Sequence, residues 1–189
     1  MMQKRLLSTL FAMSLLGCAS EITVISNVPM PLIASMPYHA AVIIDNDLQG
    51  FQYNENIDGQ ANWSITVGPA ATDLVRNIFT GLFAEVTFIN SQEDSVDLNQ
   101  IDLIVYPRIS RFEFDAPIRG NDIFAESWMQ FTITAFDTSG NNTGEALVTG
   151  YGRSEIFRDR EGSVNEATQS ALRDAGVNMI ATLPTSLSL

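Results

Sequence analysis

Side chains that could act as nucleophiles or metal ligands are scarce in this chain of 189 residues. Cys18 is the only cysteine and His39 is the only histidine. A Ser-His-Asp or Cys-His catalytic arrangement would have to use His39, yet the sequence contains no G-x-S-x-G nucleophile elbow. Zinc sites use several cysteine and histidine ligands, which one residue of each type cannot supply. We therefore predict a structural or exposed role for His39, no catalytic residues, no enzyme activity and no metal site.

Three other motifs resemble functional sites only in part. Residues 45–50 (DNDLQG) begin like a calcium-binding loop but lack its later ligands and its closing glutamate, so we predict a turn. Glu93, Asp94 and Asp97 lie in a polar loop, where solvated carboxylates are more common than a glycosidase pair. Residues 150–153 (GYGR) lack the third glycine and the following helix of a dinucleotide fingerprint. A glycine pair inside a strand indicates a bulge or a close backbone contact, and no cofactor is predicted.

The N-terminus has the zones of a secretory signal. Lys4 and Arg5 provide a positive start, residues 6–16 form an apolar run, and the small residue Gly17 follows. A membrane-spanning helix needs roughly 20 apolar residues, whereas a signal core needs only about 7 to 15. Residues 1–17 are therefore predicted to be a signal peptide.

The end of this segment, Leu15-Leu16-Gly17-Cys18, resembles the lipobox of bacterial lipoproteins. In that family the cysteine thiol is diacylglycerylated and a dedicated peptidase cuts ahead of it. The resemblance thus implies cleavage between Gly17 and Cys18 and lipidation of Cys18, although Leu16 departs from the small or β-branched residue usual at its position. Two or three acyl chains, such as palmitate, would form a stable membrane anchor, because each buried methylene contributes about 0.8 kcal/mol.

The residue after the cysteine bears on localisation. In enterobacterial sorting, an aspartate at this position retains a lipoprotein in the inner membrane, and here the residue is Ala19. The resemblance therefore implies the bacterial cell envelope, at the inner leaflet of the outer membrane and facing the periplasm. Residues 18–37, which contain three prolines, are predicted to be the acylated N-terminus and an extended tether. Residues 38–189 are predicted to form a single periplasmic domain.

The charge balance of the chain is strongly acidic. Lys4 is the only lysine, so loss of the signal peptide removes two positive charges and changes the formal net charge from −12 to −14. Such a surface is repelled by phosphate backbones, which argues against nucleic-acid binding. The charge favours either a well-solvated acidic surface or a cationic partner.

Hydrophobic periodicity predicts an α+β fold. The predicted elements are strands at Tyr38–Asp45, Val86–Ile89, Ile101–Asp115, Met129–Ala135 and Ala146–Phe157, and helices opening at Gly68-Pro69 and at Ser163. Residues 46–67 show local alternation that fits a hairpin or an edge strand. The resulting order, β-α-β-β-β-β-α, predicts a two-layer sandwich in which two amphipathic helices cover a largely antiparallel sheet of four or five strands.

Particular residues are expected to punctuate these elements. Pro107 indicates a bulge or a sheet edge. Ser163 and Glu166 have the spacing of a capping box, which predicts the start of the last helix. Pro184 is expected to end that helix, and the turn residues between Asp137 and Gly144 predict a hairpin.

With these elements assembled, the chain resembles small envelope lipoproteins of the YajG and ABC-transport auxiliary kind. The similarity covers about 120 residues. Its quoted motifs are residues 82–86 (LFAEV), residues 102–106 (DLIVY), the strand-turn-strand through residues 137–144, and residues 171–175 (ALRDA) of the closing helix. The resemblance implies a non-catalytic subunit that assists an envelope machine.

Two functional hypotheses follow. The first is a lipid-anchored accessory or assembly protein that binds an envelope protein or polymer through the sheet or a helix groove. The alternative is a carrier that holds a lipid or other small amphiphile between helices and sheet, for which the sequence offers Phe79, Phe83, Phe112, Phe114 and Phe131. Partner purification would favour the first, and a co-purifying ligand the second.

Overall fold

The computed structural model describes residues 19–25, 28–56, 62–91, 97–117, 123–156 and 159–187. In chain order its elements are β1 (Ala19–Thr23), β2 (Met36–Ile43), α1 (Asn46–Gln49), β3 (Gln52–Glu55), β4 (Asn62–Thr66), α2 (Gly68–Leu82), β5 (Phe83–Ile89), β6 (Leu103–Asp115), β7 (Phe124–Phe136), β8 (Asn142–Glu155) and α3 (Arg160–Ser186). A short 3-10 turn at Leu98–Gln100 lies between β5 and β6. The strands form a five-stranded sheet of order β5-β2-β6-β7-β8 and a three-stranded sheet of order β1-β4-β3.

The predicted α+β two-layer sandwich is confirmed. The order deduced from the sequence corresponds to β2, α2, β5, β6, β7, β8 and α3, with both long helices packed against the five-stranded sheet. This sheet is mixed, because β2 pairs in parallel with β5 and β6. Only the β6-β7-β8 part is antiparallel.

A crossover through α2 joins β2 to β5. The helix begins at Gly68, and Pro69 lies in its first turn, where the missing N–H breaks no helical bond. Its apolar stripe is buried as predicted: Ala71, Leu74, Val75, Ile78, Phe79 and Leu82. β5 follows directly at Phe83, so the helix and the edge strand share one junction.

Pro107 marks the point where β6 loses one of its two neighbours. β2 pairs with β6 only from Leu103 to Val105, whereas β7 pairs with β6 from Ile104 to Asp115. A residue without an N–H therefore removes no bond to β2. The predicted sheet edge is found here, and a bulge follows between Ile109 and Arg111.

The predicted hairpin between β7 and β8 is confirmed. The Asp137 carboxylate accepts from the backbone N–H groups of Ser139 and Asn141 at 2.9 and 2.8 Å. The side-chain amide of Asn141 also donates to it, and these bonds lower the pKa of Asp137. Gly140 has a φ of 83°, a backbone conformation that residues with a side chain rarely adopt.

Both predicted boundaries of α3 are wrong. The helix begins at Arg160, and its N-cap is Asp159, whose side chain accepts from the backbone N–H of Gly162. Ser163 lies inside the helix and donates to the carbonyl oxygens of Glu155 and Asp159. Asp159, four residues before Ser163, fills the cap position, so the capping-box pattern is not used. Pro184 lies within the last turn, and the helix continues to Ser186.

Part of the N-terminal segment forms a strand of the three-stranded sheet. β1 pairs in parallel with β4, and the hairpin predicted within residues 46–67 is present as β3 and β4. Ile22 and Val24 are buried in the main core. The first residues of the segment expected to be an extended tether (18–37) therefore belong to the folded domain. Its prolines obscured a short alternation of buried and exposed residues.

Aromatic side chains join the two sheets. Tyr53 of β3 packs against Phe112 and Phe114 of β6 with ring centroids 5.2 and 5.9 Å apart. Trp63 of β4 lies 5.1 Å from Phe114, and the Arg160 guanidinium packs over the Trp63 ring. The part of β6 beyond Pro107 thus forms core contacts with the small sheet rather than with β2.

Candidate binding surface on the sheet

The outer face is defined here as the side of the five-stranded sheet opposite α2 and α3. Along β7, alternate residues such as Met129 and Phe131 are buried in the core with α3. The intervening side chains project to the outer face: Phe124, Glu126, Trp128, Gln130, Thr132, Thr134 and Phe136. This side of the described sheet therefore offers aromatic and polar groups together.

Strand register arranges the outer face in rows across β6, β7 and β8. Three successive rows are Arg111-Gln130-Thr149, Glu113-Trp128-Tyr151 and Asp115-Glu126-Arg153. Directly opposed side chains in a sheet lie close enough to contact one another. Trp128 is thus placed at the centre of a patch that contains three carboxylates and two guanidinium groups.

Contacts within this patch fix the aromatic rings. Trp128 and Tyr151 lie with centroids 5.4 Å apart, and the Tyr151 hydroxyl donates to Glu126 at 2.6 Å. That bond to a carboxylate raises the pKa of Tyr151. The guanidinium of Arg153 lies over the Phe124 ring at 4.5 Å. Both aromatic groups are therefore held at the surface by charged neighbours.

A pocket of about 290 Å³ opens beside Trp128. It is lined by Arg111, Glu113, Trp128, Met129, Gln130 and Thr149. Arg111 pairs with Glu113, with Nη2 to Oε1 at 2.5 Å, and the hydroxyl of Ser110 lies 3.3 Å from the Gln130 amide oxygen. The pocket thus combines one indole with side chains that can donate and accept hydrogen bonds.

A larger groove of about 650 Å³ crosses the other end of the outer face. Its lining includes Asp45, Tyr106, Arg108 and Glu145. The Tyr106 hydroxyl donates to Asp45 Oδ2, and this hydrogen bond, followed by burial, raises the pKa of Tyr106 to about 12. Arg108 lies over the Tyr106 ring at 5.1 Å. These contacts favour a neutral tyrosine held in one position.

The glycines of residues 150–153 have a structural explanation. A Cβ on Gly150 would overlap the carbonyl oxygen of Ala171, and one on Gly152 would overlap that of Ala167. Asp174 of α3 accepts from the backbone N–H of Tyr151 at 2.9 Å. The expected close backbone contact is confirmed, and α3 side chains also bond to the free edge of β8.

His39 has structural contacts in β2. Its Nε2 lies 2.8 Å from the Thr87 hydroxyl on β5, and its Nδ1 lies 3.7 Å from a carboxylate oxygen of Glu85. Its backbone N–H donates to Asp102. The imidazole therefore links two strands, which agrees with the structural role expected for it.

The acidic motifs also have local roles. Asp45 is the N-cap of the one-turn helix α1, where its Oδ1 accepts from the Leu48 N–H at 2.8 Å. Asp97 accepts from Asn99 at the start of the 3-10 turn. The turn predicted at residues 45–50 is thus present, and Asp97, predicted to be a solvated loop carboxylate, also orders a local turn.

Several positions singled out from the sequence lie outside the described residues: the predicted signal peptide (residues 1–17) with Gly17, Cys18, Glu93 and Asp94. Lipidation and signal cleavage at Gly17 and Cys18 accordingly stay predictions. Within the described ranges, no group of three or more His, Cys, Asp and Glu side chains is placed to hold a metal ion. No helix in these ranges has the length and hydropathy needed to cross a membrane.

Comparison with solved structures indicates a shared fold. A Xanthomonas campestris protein, XCC0632, described by the family model DUF330, superposes with a TM-score of 0.52 at 14% identity, over 88% of this chain and 99% of that chain. A minor lipoprotein of Acinetobacter baumannii gives 0.44 at 7% identity, over 77% and 91%. A hypothetical protein of Chlamydia trachomatis gives 0.46 at 7%, over 80% and 98%. At this identity the likeness to the Xanthomonas protein shows the fold alone.

No family model matches the sequence, and no curated protein matches it either.

The sequence did not identify the patch around Trp128. Trp128 directly precedes the predicted strand Met129–Ala135, and it lies on the same face as the polar residues of that strand. The available signal was Trp128 in phase with Gln130 and Thr132 on the exposed side. Recognising the patch also needed the β6-β7-β8 register, because Glu113 and Tyr151 are distant from Trp128 in the chain.

Proposed function

We propose that this protein is a lipid-anchored, non-catalytic accessory lipoprotein of the bacterial cell envelope, and that it binds a protein partner or an envelope polymer through the outer face. The observation that carries the proposal is the asymmetry of the five-stranded sheet. One side is buried under α2 and α3, whereas the other presents Trp128, Tyr151 and several arginines to solvent. Aromatic and arginine side chains are the groups most enriched in binding hot spots.

The exposed groups on this face are suited to binding. Leu147, in the row next to Thr149, is 60% exposed, and Tyr151 is 38% exposed. The tyrosine ring is nevertheless held by Glu126 and Trp128. Rigid, partly exposed side chains lose little conformational entropy on binding, which favours association.

The titratable side chains with the strongest catalytic potential serve the fold instead. His39 bonds to Thr87, Asp45 caps α1, and Asp137 orders the hairpin turn. These uses support a binding role over catalysis.

The membrane anchor in this proposal comes from the lipobox. An acylated Cys18 followed by Ala19 supports attachment to the outer membrane with the domain in the periplasm. The carrier alternative gains no specific support, since Phe79, Phe83 and Phe131 are fully buried and Phe79 packs on Phe83 at 5.9 Å. They serve as core rather than as the lining of an open cavity.

The anchor is tested by metabolic labelling with a palmitate analogue. The wild-type protein is compared with Cys18→Ser after membrane fractionation. We expect label and membrane association in the wild type and loss of both in the variant. An unlabelled wild-type protein that fractionates as soluble would contradict the proposed anchor.

The binding face is tested by photocrosslinking in intact cells. A photoreactive amino acid replaces Leu147 on the outer face or, as the matched control, Val177 on α3, which is 63% exposed. We expect a discrete adduct with one envelope component from position 147 and none from position 177. Equal adducts from both positions, or an adduct from position 177 alone, would refute binding through the outer face.

A further inference from the structure

The pocket beside Trp128 has a balanced charge. Among its lining residues only Arg111 and Glu113 are ionised, and they pair with each other through both Nε and Nη2 of the guanidinium. A cationic ligand would face the guanidinium, and an anionic ligand would face the carboxylate. The pocket therefore suits an uncharged ligand, although the protein as a whole carries a net charge of −12.

The remaining lining groups match a ligand with several hydroxyl groups. Gln130 offers an amide and Thr149 a hydroxyl, each able to donate and accept, while Glu113 accepts and Arg111 donates. The Trp128 indole supplies an apolar surface on which ring C–H groups can pack. An uncharged ring with alternating apolar faces and hydroxyl edges fits both features.

The site is also organised before a ligand arrives. Tyr151 holds Trp128 from β8, and Tyr151 is itself held by Glu126. The Ser110 hydroxyl, at the bulge of β6, bonds to the Gln130 amide oxygen and leaves the amide nitrogen as a donor. The volume of about 290 Å³ lies at the lower limit of small-molecule sites, roughly 300 Å³, and so suits a single ring.

From these observations we propose that the pocket formed by Arg111, Glu113, Trp128, Gln130 and Thr149 binds one pyranose ring of an uncharged saccharide, with the indole against the ring and the four polar side chains on its hydroxyl groups. The inference rests on the proposed function, because it names the chemical class of an envelope component that the outer face recognises. A saccharide polymer would continue from the pocket along the outer face.

The test is a calorimetric titration of the full-length protein in lauryldimethylamine oxide, a detergent without a sugar headgroup. Two uncharged tetrasaccharides are the probes, β-1,4-linked N-acetylglucosamine and α-1,4-linked glucose. Tryptophan emission is recorded in parallel. Because Trp63 is only 2% exposed, a saturable change in emission reports on Trp128.

We expect saturable binding of at least one tetrasaccharide. Trp128→Ala should weaken it about tenfold, equivalent to about 1.4 kcal/mol. Gln130→Ala should weaken it several-fold, which keeps the test valid if Trp128→Ala does not fold. Val177→Ala, at an exposed position of α3 and away from the outer face, should change Kd less than twofold.

Two results would overturn the proposal. One is the absence of saturable heat and emission change with both tetrasaccharides. The other is binding that is insensitive to both Trp128→Ala and Gln130→Ala. Saturation of the site by an arginine-containing peptide with the same variant sensitivity would overturn it as well, because the occupant would then be a protein. The titration does not depend on acylation of Cys18 or on crosslinking at position 147, so its failure is distinguishable from failure of the proposed function.

Discussion

Gly150 and Gly152 determine how closely α3 approaches β8. The helix backbone at Ala167 and Ala171 occupies the space that a Cβ on either glycine would need. Small residues on both sides let a helix and a strand pack backbone to backbone, which leaves few voids. The glycine pair is thus a packing device of the core.

Gly150→Val should destabilise the domain by about 3 kcal/mol or more, because the new side chain overlaps backbone atoms that cannot move independently. Thr149→Val is the matched control, since it lies next in the strand but on the outer face. It should change the free energy of unfolding by less than about 0.5 kcal/mol. Urea denaturation measures both, and a similar small effect for the two variants would contradict the close contact.

The hydrogen bond between Tyr106 and Asp45 should shift the titration of this tyrosine at alkaline pH. The hydrogen bond to the Asp45 carboxylate raises the pKa of Tyr106 from 10.0 to about 12. In Asp45→Asn the carboxylate charge is lost, so the pKa of Tyr106 should fall towards 10. Ultraviolet titration of tyrosinate, with Tyr106→Phe to assign the step, measures the change.

The same raised pKa bears on stability. A folded-state pKa above the unfolded value means that the contribution is fully present below pH 10 and is lost as pH rises from 10 to about 12. Asp45→Asn should therefore flatten the alkaline decline in stability. An identical decline in the variant and the wild type would contradict a role for this pair.

At the scale of elements, the start of α3 has two candidate caps that mutation can distinguish. The sequence offers Ser163 with Glu166, whereas the structure uses Asp159 as the N-cap. Asp159→Ala should cost about 1 kcal/mol, the usual loss for a capping side chain. Glu166→Ala should cost less than half as much, since the exposed Glu166 accepts only from the Ser154 hydroxyl among the described residues. Thermal unfolding measures the stability of both variants. A larger loss of stability for Glu166→Ala would support the capping box and contradict the Asp159 cap.

β1 gives a second prediction at this scale. Ile22 is buried in the main core, whereas its neighbour Thr23 is exposed. Ile22→Ala should destabilise the domain by about 2 to 4 kcal/mol, and Thr23→Ala should have little effect. Denaturant unfolding of both variants measures the difference. Equal stability of the two variants would indicate that this segment is a tether and not part of the folded domain.

Long elements were predictable from the sequence because their periodicity extends over many residues. The stripe of α2 and the alternation of β7 each repeat often enough to identify type and buried face. β1 was not predictable, because its five residues are too few for a clear alternation and a segment with three prolines follows them. The candidate site was less predictable still, since Trp128 becomes informative only when strand register brings Glu113 and Tyr151 beside it.

At the scale of the whole molecule, charge is the dominant feature. With 22 acidic residues against 10 basic ones, the folded chain repels itself. Raising NaCl from a few mM to about 0.15 M, where the screening length is about 8 Å, should raise the thermal unfolding midpoint at neutral pH. Near pH 4, where part of the carboxylates are protonated, the salt effect should shrink. A midpoint that falls with salt at neutral pH would contradict this account.

The position of β1 has a consequence for how the domain would stand on a bilayer. β1 begins at Ala19, so an acylated Cys18 would be one peptide unit, about 3.8 Å, from the first residue of the sheet. No flexible linker would then separate the lipid headgroups from the folded domain. β1 lies beside Trp63 and hence near Phe114, at the end of the sheet where β7 begins. β7 has 13 residues and spans roughly 40 Å, so the hairpin tip at Gly140 lies about that far from the end of the strand beside β1.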